Sequence, residues 1–189
     1  MSPALTFPVP LGLPRGGYPG LSMRGVARTL GVSLSSVQHH YPTKDELWRA
    51  AVDRLTDEAI VRRRLDDRRD LRGAIAAILK EQGNRPGLIA ALLTDTGTGS
   101  SVRIAYVADS FARMLAEPIA DLREHQALGV TRQVDANALF ALLTVGIGAI
   151  ASAGPALDAI YGFDIGTDQG RTDLADGLAD ILLNGLRRR

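Results

Sequence analysis

One short stretch of this chain carries five side chains suited to chemical recognition: Ser35, Ser36, Gln38, His39 and His40. Hydroxyl, amide and neutral imidazole groups can each donate and accept hydrogen bonds. Groups of these kinds contact the base edges and phosphates of duplex DNA. The expected chemistry is noncovalent reading of a nucleic acid, provided that the surrounding elements turn these side chains outward.

The segment before this stretch has the apolar spacing of a short helix. Its apolar residues fall at i, i+3, i+4 and i+7: Met23, Val26, Ala27 and Leu30. Ser22 can cap the first turn of this helix. Gly31 follows the last apolar position, where a residue in the left-handed conformation ends a helix at low cost.

A second helix is predicted over residues 34–41, with Ser33 as its cap. Val37 and Tyr41 are spaced i, i+4 and would point inward, which leaves the five polar side chains outside. This order of helix, tight turn and helix favours a DNA-binding helix-turn-helix. The alternative is an ordinary hairpin of two helices inside a helical protein.

The stretch resembles the helix-turn-helix of the TetR (tetracycline-repressor) family of bacterial transcriptional regulators. In that family a Gly-Val-Ser turn leads through small residues to an aromatic, a His or Tyr, a Phe, and a Lys at the start of the next helix. The corresponding residues here are Gly31, Val32, Ser33, Ser36, Gln38, His40, Tyr41 and Lys44. Gln38 replaces the usual aromatic, and Tyr41 replaces the usual Phe.

The resemblance implies roles for the polar residues. Base-edge contacts are expected from Ser35, Gln38 and His39, and a contact to a base edge or a phosphate from Arg24. Phosphate contacts are expected from Ser22, Ser36, His40 and Lys44. Gln38 is also a candidate phosphate contact, because the family aromatic at this place often has that role.

Composition and charge agree with this interpretation. The chain has 189 residues, of which 46% are apolar, and contains no Cys. Clean strand-like alternation is hard to find, which favours an all-α fold. The net charge is +1, yet no acidic residue precedes Asp45, while Arg15, Arg24, Arg28 and Lys44 are basic. The N-terminus lacks the pattern of a secretory signal, so a cytoplasmic location is expected.

The N-terminus departs from the family pattern. Family members begin with a helix that packs behind the two reading helices, whereas residues 5–17 here are too rich in Pro and Gly to sustain one. The usual first helix is therefore expected to be replaced or missing. This departure prompts a competing hypothesis, a small-molecule-binding helical dimer that has lost specific DNA binding.

The resemblance predicts two domains, a helix-turn-helix domain over residues 1–48 and a helical ligand-binding and dimerisation domain over residues 49–189. Thr43 and Glu46 form a capping box that starts a third helix, which is expected to reach about residue 64. A charged linker follows over residues 62–70. Five further helices are predicted over residues 70–82, 86–94, 102–127, 135–153 and 172–188.

Residues 138–157 carry no charge, but Gly154 and Pro155 interrupt the run, so a buried helix is preferred to a membrane span. Gly146 and Gly148 would let a neighbouring helix approach closely. The last helix has a matching apolar stripe, formed by Leu174, Leu178, Ile181 and Leu182. Two such helices from each subunit would form a homodimer interface, and a dimer suits a palindromic operator. The alternative is that both stripes face their own core.

The ligand of such a regulator is expected to be a hydrophobic or amphipathic small molecule, bound between the middle helices. The candidate lining residues are Tyr106, Phe111, Met114 and Phe140. Aromatic and Met residues at helical spacing also occur as ordinary members of a hydrophobic core. The overall prediction is a repressor that binds its palindromic operator as a homodimer and is released by such an effector.

Catalytic and metal-binding functions are not expected. His39 and His40 point about 100° apart on a helix, and His125 has no metal-binding motif beside it. Asp95-Thr96-Gly97 copies the aspartic-protease signature, but that chemistry needs a β-hairpin loop and a second carboxylate. The neighbouring segments predict helices instead, so we expect no enzyme, cofactor or metal.

Overall fold

The structure is a computed structural model that describes residues 17–65, 73, 75–76, 79–80 and 101–186. Several predicted features lie outside these residues: the helix over 86–94, most of the helix over 70–82, residues 5–16, the linker beyond residue 65 and the Asp-Thr-Gly sequence at 95–97. Across the described residues the only regular elements are helices, which confirms the all-α prediction. None of these helices is both long and apolar enough to span a bilayer.

The first elements are a one-turn helix α1 (Gly17–Gly20), α2 (Met23–Leu30) and α3 (Leu34–His40). The Ser22 hydroxyl accepts a hydrogen bond from the Gly25 amide at 3.3 Å and caps α2. Gly31 ends α2 in the left-handed conformation with φ of 67°. The Ser33 hydroxyl caps α3 by accepting from the Ser36 amide at 3.0 Å. All three predicted caps are confirmed.

The second predicted helix is one residue too long. α3 ends at His40, and Tyr41 has φ of −132° and ψ of 85°. Pro42 follows, and the ring of a proline disfavours the helical conformation in the residue before it. Tyr41 nevertheless packs inward against the neighbouring core, as its spacing predicts.

α4 (Lys44–Leu65) begins with the predicted capping box. The Thr43 hydroxyl accepts from the Glu46 amide at 3.1 Å, and the Glu46 carboxylate accepts from the Thr43 amide at 3.2 Å. These reciprocal bonds satisfy amide groups that have no partner within the helix. They also fix the residue at which α4 begins after the short connection from α3.

The remaining described helices are α5 (Ser101–Ala127), α6 (Ala136–Ala141), α7 (Ile147–Ser152), α8 (Gly154–Tyr161) and α9 (Asp168–Leu186). The single helix predicted over residues 135–153 is wrong in detail, because a π-helical segment (Leu142–Gly146) separates α6 from α7. Within it the Thr144 hydroxyl donates to the Phe140 carbonyl at 2.7 Å, a bond that competes with regular helix geometry.

Two helix starts also differ from the prediction. α8 was not predicted, and Pro155 lies at its beginning, where a missing amide hydrogen costs least. α9 begins at Asp168 rather than residue 172, because the Thr167 hydroxyl accepts from the Gly170 amide at 3.1 Å and caps an extra turn.

The described side chains form two apolar cores. The first joins α2, α3 and α4 to α5, and its buried members are Leu21, Val26, Ala27, Val37, Leu47, Trp48, Ala51, Val52 and Val107. The second lies among the later helices, with Ile75, Leu79, Leu143, Ile147, Ile165, Leu174, Ala175 and Ala179. Helix α5 therefore packs on α4, the helix that directly follows the one carrying the polar stretch.

Candidate nucleic-acid interface

Helix α3 presents the polar face that its sequence predicts. Val37 is completely buried, whereas Ser35, Gln38 and His39 are exposed. His40 is also exposed, and Ser36 is half-buried. The helix is anchored by one apolar side chain and presents its hydrogen-bonding groups to the outside.

The hydroxyls at the start of α3 form a small network. Ser33 Oγ lies 2.8 Å from Ser35 Oγ and 2.9 Å from Ser36 Oγ. These bonds hold two predicted contact residues in defined orientations at the first turn of the helix. The first turns of a recognition helix are the part that enters the major groove in helix-turn-helix proteins.

The two adjacent histidines face outward with their rings roughly perpendicular. The ring centroids of His39 and His40 are 5.3 Å apart, at an interplanar angle of 76°. Within the described part of the chain, no group of three or more His, Cys, Asp or Glu side chains is arranged to hold a metal ion. The arrangement suits two separate hydrogen-bonding contacts.

Lys44 lies beside the end of α3 and is held in place by α1. Its ammonium Nζ donates to the Pro19 carbonyl at 3.4 Å and lies 4.4 Å from the centroid of the Tyr18 ring. A cation over an aromatic face is attracted by the ring quadrupole. The charge predicted to meet a phosphate is therefore presented from a fixed position.

Tyr18 joins this site to helix α5, a link that sequence reasoning missed. The Arg103 guanidinium carbon lies 4.0 Å from the Tyr18 ring centroid, and Arg103 Nη1 lies 3.7 Å from an Asp45 carboxylate oxygen. A hydrogen bond to Asp45, followed by burial, raises the pKa of the Tyr18 hydroxyl. No local sequence signal connects Arg103 to this cluster, since it lies on a different helix far along the chain.

The α2 side of the interface is basic and open. Ser22, Arg24 and Arg28 are exposed, and neither α2 nor α3 contains an acidic residue. A surface of this kind attracts the phosphate backbone of nucleic acid. All eight predicted contact residues thus lie at or beside α2 and α3 with accessible side chains.

Among the described residues, the four predicted ligand-lining residues lie in different places. Tyr106 and Phe111 pack against the first core, Phe140 packs against the second, and Met114 is half-buried on α5. An open groove of about 130 Å³ lies elsewhere, lined entirely by apolar residues: Leu142, Leu143, Gly146, Ile147, Ile150, Leu178, Ile181 and Leu182. We call this surface the apolar groove.

Tyr106 instead connects α5 to α4. Its hydroxyl donates to Asp53 at 2.6 Å, and its ring centroid lies 5.9 Å from that of Trp48. Burial, followed by the hydrogen bond to Asp53, raises the pKa of the Tyr106 hydroxyl to about 12. The phenol therefore stays protonated and remains a donor at neutral pH.

Two short helices joined by a tight turn, with a polar face exposed on the second, have the geometry of helix-turn-helix DNA-binding proteins. Residues 14–51 match the model of the tetR family of bacterial regulatory proteins. This match shows that the N-terminal part of the chain is similar to the DNA-binding region of TetR transcriptional regulators. The matched residues begin at the end of the Pro- and Gly-rich segment and include α2, α3 and the first turns of α4.

A solved structure shares the fold over nearly the whole chain. It is a protein from Saccharomonospora viridis described as a transcriptional regulator, crystallised in complex with choline. The two chains are 22% identical, the match covers 91% of this chain and 90% of that one, and the TM-score is 0.62. No curated protein matches this chain.

Proposed function

We propose that this regulator is a ligand-responsive repressor that binds a palindromic operator as a homodimer. The observation that carries the proposal is the exposed polar face of α3, held by the buried Val37 and a capped first turn. A dimer places two such helices about 34–36 Å apart, one helical turn of DNA, so that each reads one half-site.

The proposed contacts divide into two kinds. Ser35, Gln38 and His39 contact base edges, and Arg24 contacts a base edge or a phosphate. Ser22, Ser36, His40 and Lys44 contact phosphates and set the register of the protein on the duplex. The accessibility of all eight side chains and the fixed position of Lys44 support this division.

A gel-shift titration with DNA from beside the gene of this protein tests the proposal. We expect saturable, sequence-selective binding that weakens as salt is raised, because phosphate contacts release condensed counterions. Weak binding that is equal for all DNA sequences would contradict the proposal. That result would favour the competing ligand-binding dimer without specific DNA recognition.

Replacing Lys44 with Ala should weaken binding to every DNA sequence alike. Loss of one phosphate contact lowers the slope of log affinity against log salt by about 1. The matched control is Lys80→Ala, since Lys80 is exposed and lies outside the interface. Unchanged affinity in Lys44→Ala would refute the phosphate assignment.

His39→Ala should instead relax the sequence preference at one base pair of the operator, because this side chain is assigned to a base edge.

The proposed division into residues 1–48 and 49–189 assigns dimerisation to the later helices. Large apolar side chains are exposed there: Leu142 is 55%, Val145 44% and Ile181 71% exposed. These residues lie at or beside the apolar groove between the π-helical segment and α9. A contiguous exposed apolar surface is typical of a protein interface.

The predicted stripe on α9 divides between two environments. Leu174 is buried in the second core, whereas Ile181 is exposed and Leu178 and Leu182 are half-buried. The N-terminal part of the stripe therefore serves the subunit's own core. The C-terminal part remains available for a partner, and two helical segments from each subunit would form a four-helix interface.

Ile181→Asp is expected to convert the dimer to a monomer, because the substitution places a charge in the centre of the proposed interface. Analytical ultracentrifugation measures the change directly. Thr172→Asp is the control, since nine residues along a helix place it on the opposite side of α9. A dimer that persists in Ile181→Asp would locate the interface elsewhere.

The proposed effector is a hydrophobic or amphipathic small molecule. The Saccharomonospora viridis protein of the same fold binds choline, which supports small-molecule binding by this architecture. Release from DNA follows if the effector binds better to a dimer whose recognition helices have the wrong spacing. Choline and a longer-chain quaternary ammonium are suitable first probes, with loss of operator binding as the readout.

A further inference from the structure

The contact between α4 and α5 contains a polar cluster that the proposed DNA contacts do not use. One Asp53 carboxylate oxygen accepts from the Tyr106 hydroxyl at 2.6 Å. The other accepts from Arg113 Nη2 at 2.8 Å. A single side chain on α4 therefore receives two donors from α5, which lie two turns apart on that helix.

The apolar part of the helix contact has little directional preference. Trp48 is completely buried, and Val107 from α5 belongs to the same apolar core. Apolar burial is non-directional and tolerates small sliding or rotation of one helix on the other. Hydrogen bonds depend steeply on distance and angle, so the two bonds to Asp53 define the relative position of the helices.

A second polar contact lies closer to the DNA-facing end. Arg103 pairs with Asp45 and stacks on Tyr18, the same ring that holds Lys44. Asp45 and Asp53 lie about two helical turns apart on α4. The two contacts together tie both the start and the middle of α4 to the first half of α5.

We propose that Asp53, Tyr106 and Arg113 are positioning residues that set the angle of the recognition helix relative to the body of the subunit. This proposal rests on the proposed function, because that angle determines the distance between the two recognition helices of a dimer. From Asp53 to Lys44 the helix extends about 14 Å toward α3. A tilt of about 10° at Asp53 therefore displaces the start of α4 by roughly 2 Å.

The first test measures the angle without DNA. The chain contains no Cys, so Ser35→Cys and Thr172→Cys introduce the only two attachment sites for spin labels, one on α3 and one on α9. Pulsed electron paramagnetic resonance then gives the distribution of the distance between them. Asp53→Ala removes both contacts and should broaden this distribution about twofold, and Tyr106→Phe should broaden it less.

Controls separate this effect from general loosening. Asp158→Ala and Tyr161→Phe make the same chemical changes at exposed positions on α8 and should leave the distribution unchanged. Asp53 is 39% exposed, so its removal is compatible with folding, and circular dichroism checks that the helices are retained. A distribution in Asp53→Ala as narrow as in the parent protein would overturn the proposal.

A second test uses operators with one or two base pairs inserted between the half-sites. We expect the parent protein to prefer the natural spacing by about tenfold, and Asp53→Ala to reduce that preference to about twofold while keeping its affinity for an isolated half-site. A variant that loses affinity but keeps the full spacing preference would contradict a positioning role. Failure of the parent protein to select any sequence would instead contradict the proposed function, and the spin-label result would still decide the positioning role.

Discussion

Trp48→Ala is expected to lower the free energy of unfolding by about 3–5 kcal/mol, the usual cost of removing a buried aromatic side chain. Trp48 is completely buried and lies between two tyrosines, with ring centroids 6.2 Å from Tyr18 and 5.9 Å from Tyr106. Its removal leaves a cavity where α1, α4 and α5 meet. We expect sequence-selective DNA binding to be lost together with stability, because the same contact supports the recognition helix.

Denaturant unfolding followed by circular dichroism measures this loss. Fluorescence is unsuitable, because Trp48 is the only Trp of the chain. Tyr161→Ala is the control for removal of an aromatic ring, because Tyr161 is 67% exposed. This variant should change the free energy of unfolding by less than about 0.5 kcal/mol. A loss below about 1 kcal/mol in Trp48→Ala would show that the junction does not depend on this side chain.

Gly170→Ala is expected to destabilise the start of α9 by about 3 kcal/mol. A Cβ atom at this position would lie 2.6 Å from the carbonyl carbon of Asp164 and closer still to its oxygen. Both are backbone atoms, so relief requires the chain to move. The same carbonyl oxygen accepts from the Thr167 hydroxyl at 2.8 Å, and Thr167 caps α9, so the movement would also disturb the cap.

Gly177→Ala is the matched control on the same helix. Open space surrounds a Cβ atom there, and alanine is favoured over glycine within a helix by about 0.5–1 kcal/mol, so this variant should be slightly more stable than the parent. Thermal unfolding of the two variants side by side gives the comparison. Equal melting temperatures for both variants would mean that the turn before α9 can adjust without cost.

The elements of the DNA-binding face were predictable because their signals are local. Ser22, Ser33 and Thr43 each bond to an amide three residues ahead, and Gly31 ends α2 through its own backbone conformation. The apolar spacing of α2 correctly identified its buried face, which includes Val26 and Ala27. Such interactions span less than two helical turns, so residue types and spacing are sufficient to reveal them.

Local signals were less informative in the later helices. The single helix predicted over residues 135–153 covers both α6 and α7, because apolar spacing alone does not distinguish an α-helix from a π-helical segment. The Thr167 cap was missed for a different reason. The first turn of α9 is polar, and the first buried residue of this helix is Leu174. The apolar pattern therefore begins later in the chain than the helix does.

The sequence by itself determined the fold class, the helix-turn-helix with its caps, and the identity of the polar residues on α3. Only the tertiary structure decided that Tyr106 bonds to Asp53, that Arg103 stacks on Tyr18, and that Tyr106 and Phe111 pack against one core while Phe140 packs against another. The physical reason is the range of the interactions. Caps and helical faces depend on neighbours within a few residues, whereas the contact of α4 with α5 depends on how two distant helices pack.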